Sequence, residues 1–221
     1  MHRHRRIATG GPLNFLNEAA RTNSREKSVP VMALVAYHRP PHEEALESLI
    51  EQHCRLAHSS QCPCGVKSRG TVTDFGNNLY EAQQTCEAYK QQYPDQRAFT
   101  RQECYTFMRN LFCVAPLRGL RQEETSVSVL RKAIPGIVVT LATRSEDFDY
   151  AVDYIVTHRG RDLGVQVKPE SFFNKEDCVV LTKEKHARFR HPVLFHTYSN
   201  RTMEFLEETT RKIIDFFDQV V

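Results

Sequence analysis

The chain of 221 residues contains no run approaching 18 consecutive apolar residues, which excludes a transmembrane helix of ordinary length. Its basic start, Met1-His2-Arg3-His4-Arg5-Arg6, is not followed by the apolar stretch of roughly 7–15 residues that a secretory signal requires. No repeat and no low-complexity tract is visible, so solenoids, propellers and biased linkers are set aside. Neither sign of charge dominates. Thirty Lys and Arg stand against 27 Asp and Glu, a net charge of +3 that is compatible with a polyanionic partner without demanding one. The seven cysteines are odd in number and the chain is long, so a disulfide framework is not expected. These absences together lead us to expect a cytoplasmic protein that does not enter a membrane.

What remains is globular in composition, with 40% hydrophobic and 26% charged residues, enough for one domain or two small ones. Residues 1–115 hold 14 Lys and Arg against 11 Asp and Glu, with six of the ten histidines; residues 116–221 are balanced at 16 against 16. The first region reads as mainly helical. Glu43 to Ala57 is amphipathic on Leu46, Leu49, Ile50 and Leu56, and helical patterns recur at about 77–92 and 101–113. Val31 to Tyr37 is a short apolar run that fits a strand or a buried helical turn equally well. The second region reads as helix 117–134, strands 137–143, 149–157 and 163–168, helix 174–188, strand 193–197 and a closing helix 202–220.

The turn at His158-Arg159-Gly160-Arg161-Asp162 fixes what faces what. A type II′ turn with Gly160-Arg161 at its centre places Asp153 opposite Lys168, Ile155 opposite Gln166 and Thr157 opposite Gly164. Side chains alternate along a strand, so Val152, Tyr154, Val156, Leu163, Val165 and Val167 share an apolar face. The other face then gathers Asp153, Gln166 and Lys168 at one end. On spacing alone this is equally well a solvated face with a cross-strand Asp–Lys pair.

Asp153, then twelve residues, then Gln166-Val167-Lys168 resembles the Asp…(Glu/Gln)-x-Lys signature of the PD-(D/E)xK nuclease superfamily, which includes many type II restriction endonucleases. The α-β-β-β-α-β order over about 117–197 is similar to that family's core. Val152 stands where the family name has proline, and Gln166 where Glu or Asp is commoner. The resemblance implies an α/β (α+β) fold, with a restriction-endonuclease-like αβββαβ core and central mixed sheet in 116–221. Residues 1–115 would serve DNA recognition, dimerisation or both. It further implies a Mg²⁺-dependent endonuclease, with Mn²⁺ able to substitute, that cleaves double-stranded DNA as a homodimeric type II restriction enzyme. A DNA repair or junction-resolving nuclease of the same fold is an alternative, and so is a non-catalytic nucleic-acid-binding protein.

Phosphodiester hydrolysis asks for these residue types. A hard divalent cation held by oxygen ligands polarises the phosphate and activates water. The resemblance makes Asp153 the principal ligand, Gln166 a neutral oxygen ligand and the Val167 carbonyl a further one. Lys168 would orient the water and stabilise developing charge. A glutamate from the preceding helix completes the set. Helical spacing puts Glu123 near the stripe of Leu120, Val127, Leu130 and Ile134, with Glu124 further round as its substitute. An acidic first turn that favours the helix dipole explains either glutamate as well.

Two other groupings stand out. The basic run from Lys183 to His191 offers Lys183, Lys185, Arg188 and Arg190 as DNA contacts, with the amino-terminal arginines, Arg97, Arg101 and Arg109 as similar candidates. As a solvated helix end the run needs no function. His53, Cys54, His58, Cys62 and Cys64 are all able to bind zinc, but the Cys-Pro-Cys spacing is unsuitable and no second CxxC pair follows. Reduced cysteines in a loop are therefore preferred to a structural Zn²⁺.

Overall fold

Thr71 and Thr100 each open a helix by accepting a bond from the backbone N–H three residues on, while Asp74 and Glu103 return a bond to the cap N–H. Both helices lie in the first of two compact units, Met1–Arg118 and Gly119–Val221. The structure is a computed structural model describing residues 11–22, 31–55 and 70–219. The first unit holds α1 (Gly11–Ala19), α2 (Val31–His38), α3 (Glu43–Arg55), α4 (Val72–Thr85), α5 (Glu87–Gln92) and α6 (Arg101–Arg109). The ambiguous run at Val31 is helical, burying Val31, Leu34 and Val35 at i, i+3 and i+4. The pattern over 77–92 is two helices, broken where Cys86 turns extended (ψ 97°). A π-helical turn, Asn110–Val114, follows α6.

Helices α4 and α6 cross at Gly76. A Cβ added there would lie 2.9 Å from the Cα of Tyr105, so only glycine permits this approach. The amide of Gln83 brackets the same crossing, donating to Phe99 O at 3.0 Å and accepting from Phe99 N–H at 2.8 Å.

The second unit contains most of α7 (Ala115–Ala133), then β1 (Val138–Leu141), α8 (Arg144–Tyr150), β2 (Tyr154–His158), β3 (Arg161–Pro169), a 3₁₀ turn (Glu170–Asn174), α9 (Glu176–His186), β4 (Val193–Tyr198) and α10 (Glu207–Asp218). The four strands form one mixed sheet in the order β1-β2-β3-β4, with β3 and β4 parallel and the other pairs antiparallel. The α+β class is as expected. No helix among the described residues is long and apolar enough to cross a membrane.

Three expectations for this unit need correction. The second strand does not begin at 149. Thr143 and Glu146 form a capping box that starts α8, and Ala151 ends it in the left-handed conformation (φ 56°, ψ 46°). The hairpin is not closed by Gly160-Arg161. Both Arg159 (φ 50°) and Gly160 (φ 74°) are left-handed, as a type I′ turn requires, and His158 pairs with Arg161. The register therefore moves by two: Ile155 faces Gly164 and Thr157 faces Asp162. Continued by one residue, it sets Asp153 across from Gln166 instead of Lys168. A shift of two leaves each side chain on its own face, so Tyr154, Val156, Leu163, Val165 and Val167 still form one core with Leu130, Ile134, Ile213 and Phe217. Val152 is the exception. It lies before the strand and packs with Ile155 and Phe189 instead.

Candidate active site

The site grows from the point where α8 becomes β2. After Ala151 the chain bends, and Asp153 is held against β3 from two directions. Its N–H donates to Val165 O at 2.9 Å, and its Oδ2 accepts from Val167 N–H at 2.6 Å. Asp153 thus grips β3 on either side of Gln166.

Glu123, on α7, and Lys168, on β3, interact electrostatically with Asp153 and with each other. Burial pushes the Glu123 carboxyl up to about 8, and the Asp153 charge adds to the rise while Lys168 opposes it. Asp153 is pushed up to about 6, again first by burial, against the pull of Lys168 and the Val167 N–H. Near neutral pH the Glu123 carboxyl is thus largely protonated and Lys168 balances Asp153, whereas ionising both carboxyls would leave the cluster short of positive charge. Glu124 is exposed while Glu123 is half-buried, the order expected from the helical spacing. The ammonium of Lys168 lies 6.0 Å from the centre of the Phe172 ring.

Gln166 is buried, and its Oε1 lies 3.0 Å from Nε2 of His186 at the end of α9. The same nitrogen is 3.2 Å from Ala151 O. His186 was legible in the sequence only as part of a basic run; nothing marked it as a partner of Gln166. Burial lowers its pKa first, and Lys168 lowers it further. One of the two lone pairs on the Gln166 oxygen is thus committed, leaving one.

A second polar group starts one helical turn from Glu123 and one residue from Asp153. Ser126 Oγ contacts the Tyr154 hydroxyl and lies 2.5 Å from His196 Nδ1, and His196 Nε2 lies 2.9 Å from Thr210 Oγ1. Thr210 donates to Leu206 O at 3.3 Å, so it accepts from Nε2–H. Nδ1 then accepts from Ser126, which accepts from Tyr154. Every hydrogen points one way along this chain. Ser126, Tyr154 and His196 are fully buried, and burial drives the imidazole down to about 4. No substrate can reach this serine and histidine, and they are core.

Of the basic run, Lys183 and Arg188 are exposed. Lys185 donates to Phe148 O at 2.5 Å, and Arg190 pairs with Glu146 at 3.3 Å. Lys185 thereby ties the end of α9, and Arg190 the segment after it, to α8. In the first unit, Arg109 joins Glu44 and Glu47, Arg97 joins Glu103, and Arg101 covers the Tyr80 ring at 4.4 Å. His53 Nδ1 donates to Leu49 O at 2.8 Å; His58, Cys62 and Cys64 lie outside the described residues, as do the amino-terminal arginines. Among the described residues no group of three or more His, Cys, Asp or Glu side chains is gathered as a metal cage.

Comparison with known proteins finds no matching family model, no similar curated protein and no similar solved structure.

Proposed function

We propose that the second unit is a Mg²⁺-dependent nuclease that hydrolyses phosphodiester bonds of double-stranded DNA, acting as a homodimeric restriction-type endonuclease. One observation carries the reading: Glu123 from α7, Asp153 from the bend before β2 and Lys168 from β3 interact as one half-buried group, with Asp153 held against β3 by Val165 O and Val167 N–H and both carboxyl pKa values raised. Burial is the first cause of both raised values and Lys168 opposes it, so the ionised pair is costly in the free protein and a bound cation would relieve that cost. The antiparallel pairing of β1, β2 and β3 with β4 parallel to β3 supports the core that the sequence signature implies, with α8 inserted between β1 and β2.

The residues present fit a hard cation. Glu123 and Asp153 would hold it through carboxylate oxygens, and Gln166 Oε1 has a lone pair left for it. A bound Mg²⁺ would polarise the scissile phosphate and acidify a water. Lys168, fixed on β3, orients that water and stabilises negative charge as it develops on the phosphate. Asp153 holds its place through the Val165 and Val167 backbone bonds, so its carboxylate needs no rearrangement to act. Exposed Lys183 and Arg188 supply phosphate contacts that position the duplex.

Plasmid incubated with Mg²⁺, with and without EDTA, tests the reading. Discrete, metal-dependent fragments are expected. Structure-selective cutting of branched substrates alone would instead mean a junction enzyme, and binding without any cleavage a non-catalytic module.

A further inference from the structure

Two arms of the proposed site end on one imidazole. His186 Nε2 faces Ala151 O at 3.2 Å and Gln166 Oε1 at 3.0 Å. The backbone carbonyl can only accept, so Nε2 carries the hydrogen. Gln166 therefore turns its oxygen, not its nitrogen, toward the ring. The ring itself is held by Phe195, 4.9 Å away centre to centre.

The two acceptors are not equivalent bystanders. Ala151 is the left-handed residue that ends α8 and sits two positions before Asp153. A non-glycine residue in this conformation persists only where its surroundings hold it. Gln166 is the residue that Asp153 straddles through Val165 O and Val167 N–H. The end of α8, Asp153 and Gln166 are thus tied into one loop by these hydrogen bonds and the intervening backbone, and His186 supplies the link from α9. We infer that His186 is a positioning residue of the cleavage site, whose single N–H fixes both the turn that aims Asp153 and the amide of Gln166. The inference rests on Glu123, Asp153 and Lys168 being the phosphodiester-cleaving group. It adds to that reading a reason for the amide at 166: a neutral oxygen accepts from the imidazole N–H without drawing a second positive charge into the site.

Two substitutions in the full chain separate the N–H from the ring. His186→Phe keeps an aromatic ring against Phe195 and loses the donor, while His186→Gln loses the ring and keeps an amide N–H at similar reach. Mg²⁺ affinity is read by calorimetry, plasmid cleavage as kcat and KM, and folding by thermal unfolding. His186→Phe should lose Mg²⁺ affinity by about tenfold or more, as such supporting partners do, with a fall in kcat and little change in KM. His186→Gln should recover most of both. Should His186→Phe fail to fold, His186→Asn, too short to reach both acceptors, takes its place with the same expected loss. Wild-type Mg²⁺ affinity in His186→Phe would overturn the inference and leave the nuclease reading standing, and so would a His186→Gln protein as defective as His186→Phe. A wild-type protein that neither binds Mg²⁺ nor cuts DNA would remove the nuclease reading, and the inference with it.

Discussion

The two polar clusters of the second unit draw on the same elements and behave oppositely. Ser126 and Glu123 are one turn apart on α7, and Tyr154 and Asp153 are neighbours at the start of β2. The Tyr154–Ser126–His196–Thr210 chain, buried up to the half-buried Thr210, is neutral and complete, each donor meeting an acceptor. The Glu123–Asp153–Lys168 cluster is half-exposed and carries more potential negative charge than one lysine balances. A fully paired network specifies how a core packs, while an unbalanced one keeps electrostatic work in reserve. The difference teaches that neighbouring titratable residues can either satisfy one another completely or leave their ionisation open to whatever else approaches them.

Substitutions on either side of that divide should give unlike results. Lys168→Ala is expected to have the largest effect, lowering the cleavage rate by at least about 10²-fold with Tm nearly unchanged, because Lys168 is half-buried and opens no core cavity. Near wild-type cutting would remove it from the chemistry. Asp153→Asn should weaken Mg²⁺ binding and cleavage together by about 10–100-fold, while DNA affinity without metal holds or rises because repulsion of phosphate is reduced. A collapse of DNA affinity in a folded protein would give Asp153 a different task.

Ser126→Ala belongs to the other cluster and should do the reverse. It strands the Tyr154 hydroxyl and His196 Nδ1, at a cost on the order of 3 kcal/mol in stability, and leaves Mg²⁺ affinity alone. Acid and base should also separate the two groups. His196 titrates at about 4 when folded and near 6.5 when unfolded, so the unfolded chain takes up the proton first. Its contribution to stability is lost as pH falls from about 6.5 to about 4, on the order of 3 kcal/mol in all. Glu123 and Asp153 have raised folded values, so the folded chain holds their protons longer. Their contribution is lost as pH rises from about 4 toward 8. Urea melts across pH should show the alkaline loss diminished in Glu123→Gln and by saturating Mg²⁺, with the acid loss unchanged. An alkaline limb indifferent to both would break the contrast. The smallest effect is expected at exposed Glu124, where Glu124→Gln should change stability by about 0.5 kcal/mol or less and Mg²⁺ affinity not at all.

The alternation of apolar and polar residues made the faces of the β2–β3 hairpin legible, because side-chain period is a local property. Its register was not, since Gly160 satisfies a type I′ turn in second place as readily as a type II′ turn in first, and the choice falls on the φ of Arg159. Helix α8 was announced by Thr143-Arg144-Ser145-Glu146, a capping box easily passed over beside the β-branched run before it. Asp153, Gln166 and Lys168 could be grouped because one hairpin carries them, and Glu123 because its helix has a periodic stripe. The Ser126–His196 contact joins residues 70 positions apart, and no local pattern encodes such a distance. His186 was hidden for the same reason, its role set by what α9 comes to rest against.

The crossing of α4 and α6 at Gly76 bears on how this chain can diverge. With 2.9 Å between a would-be Cβ and the Tyr105 backbone, the position is closed to all nineteen other side chains unless the helices part. Exposed residues of the same helices, such as Asn78 and Gln102, carry no such limit. Descendants of this sequence could therefore redecorate the outside of the first unit, and with it whatever that surface recognises, while inheriting a glycine at 76 as the fixed point of the change.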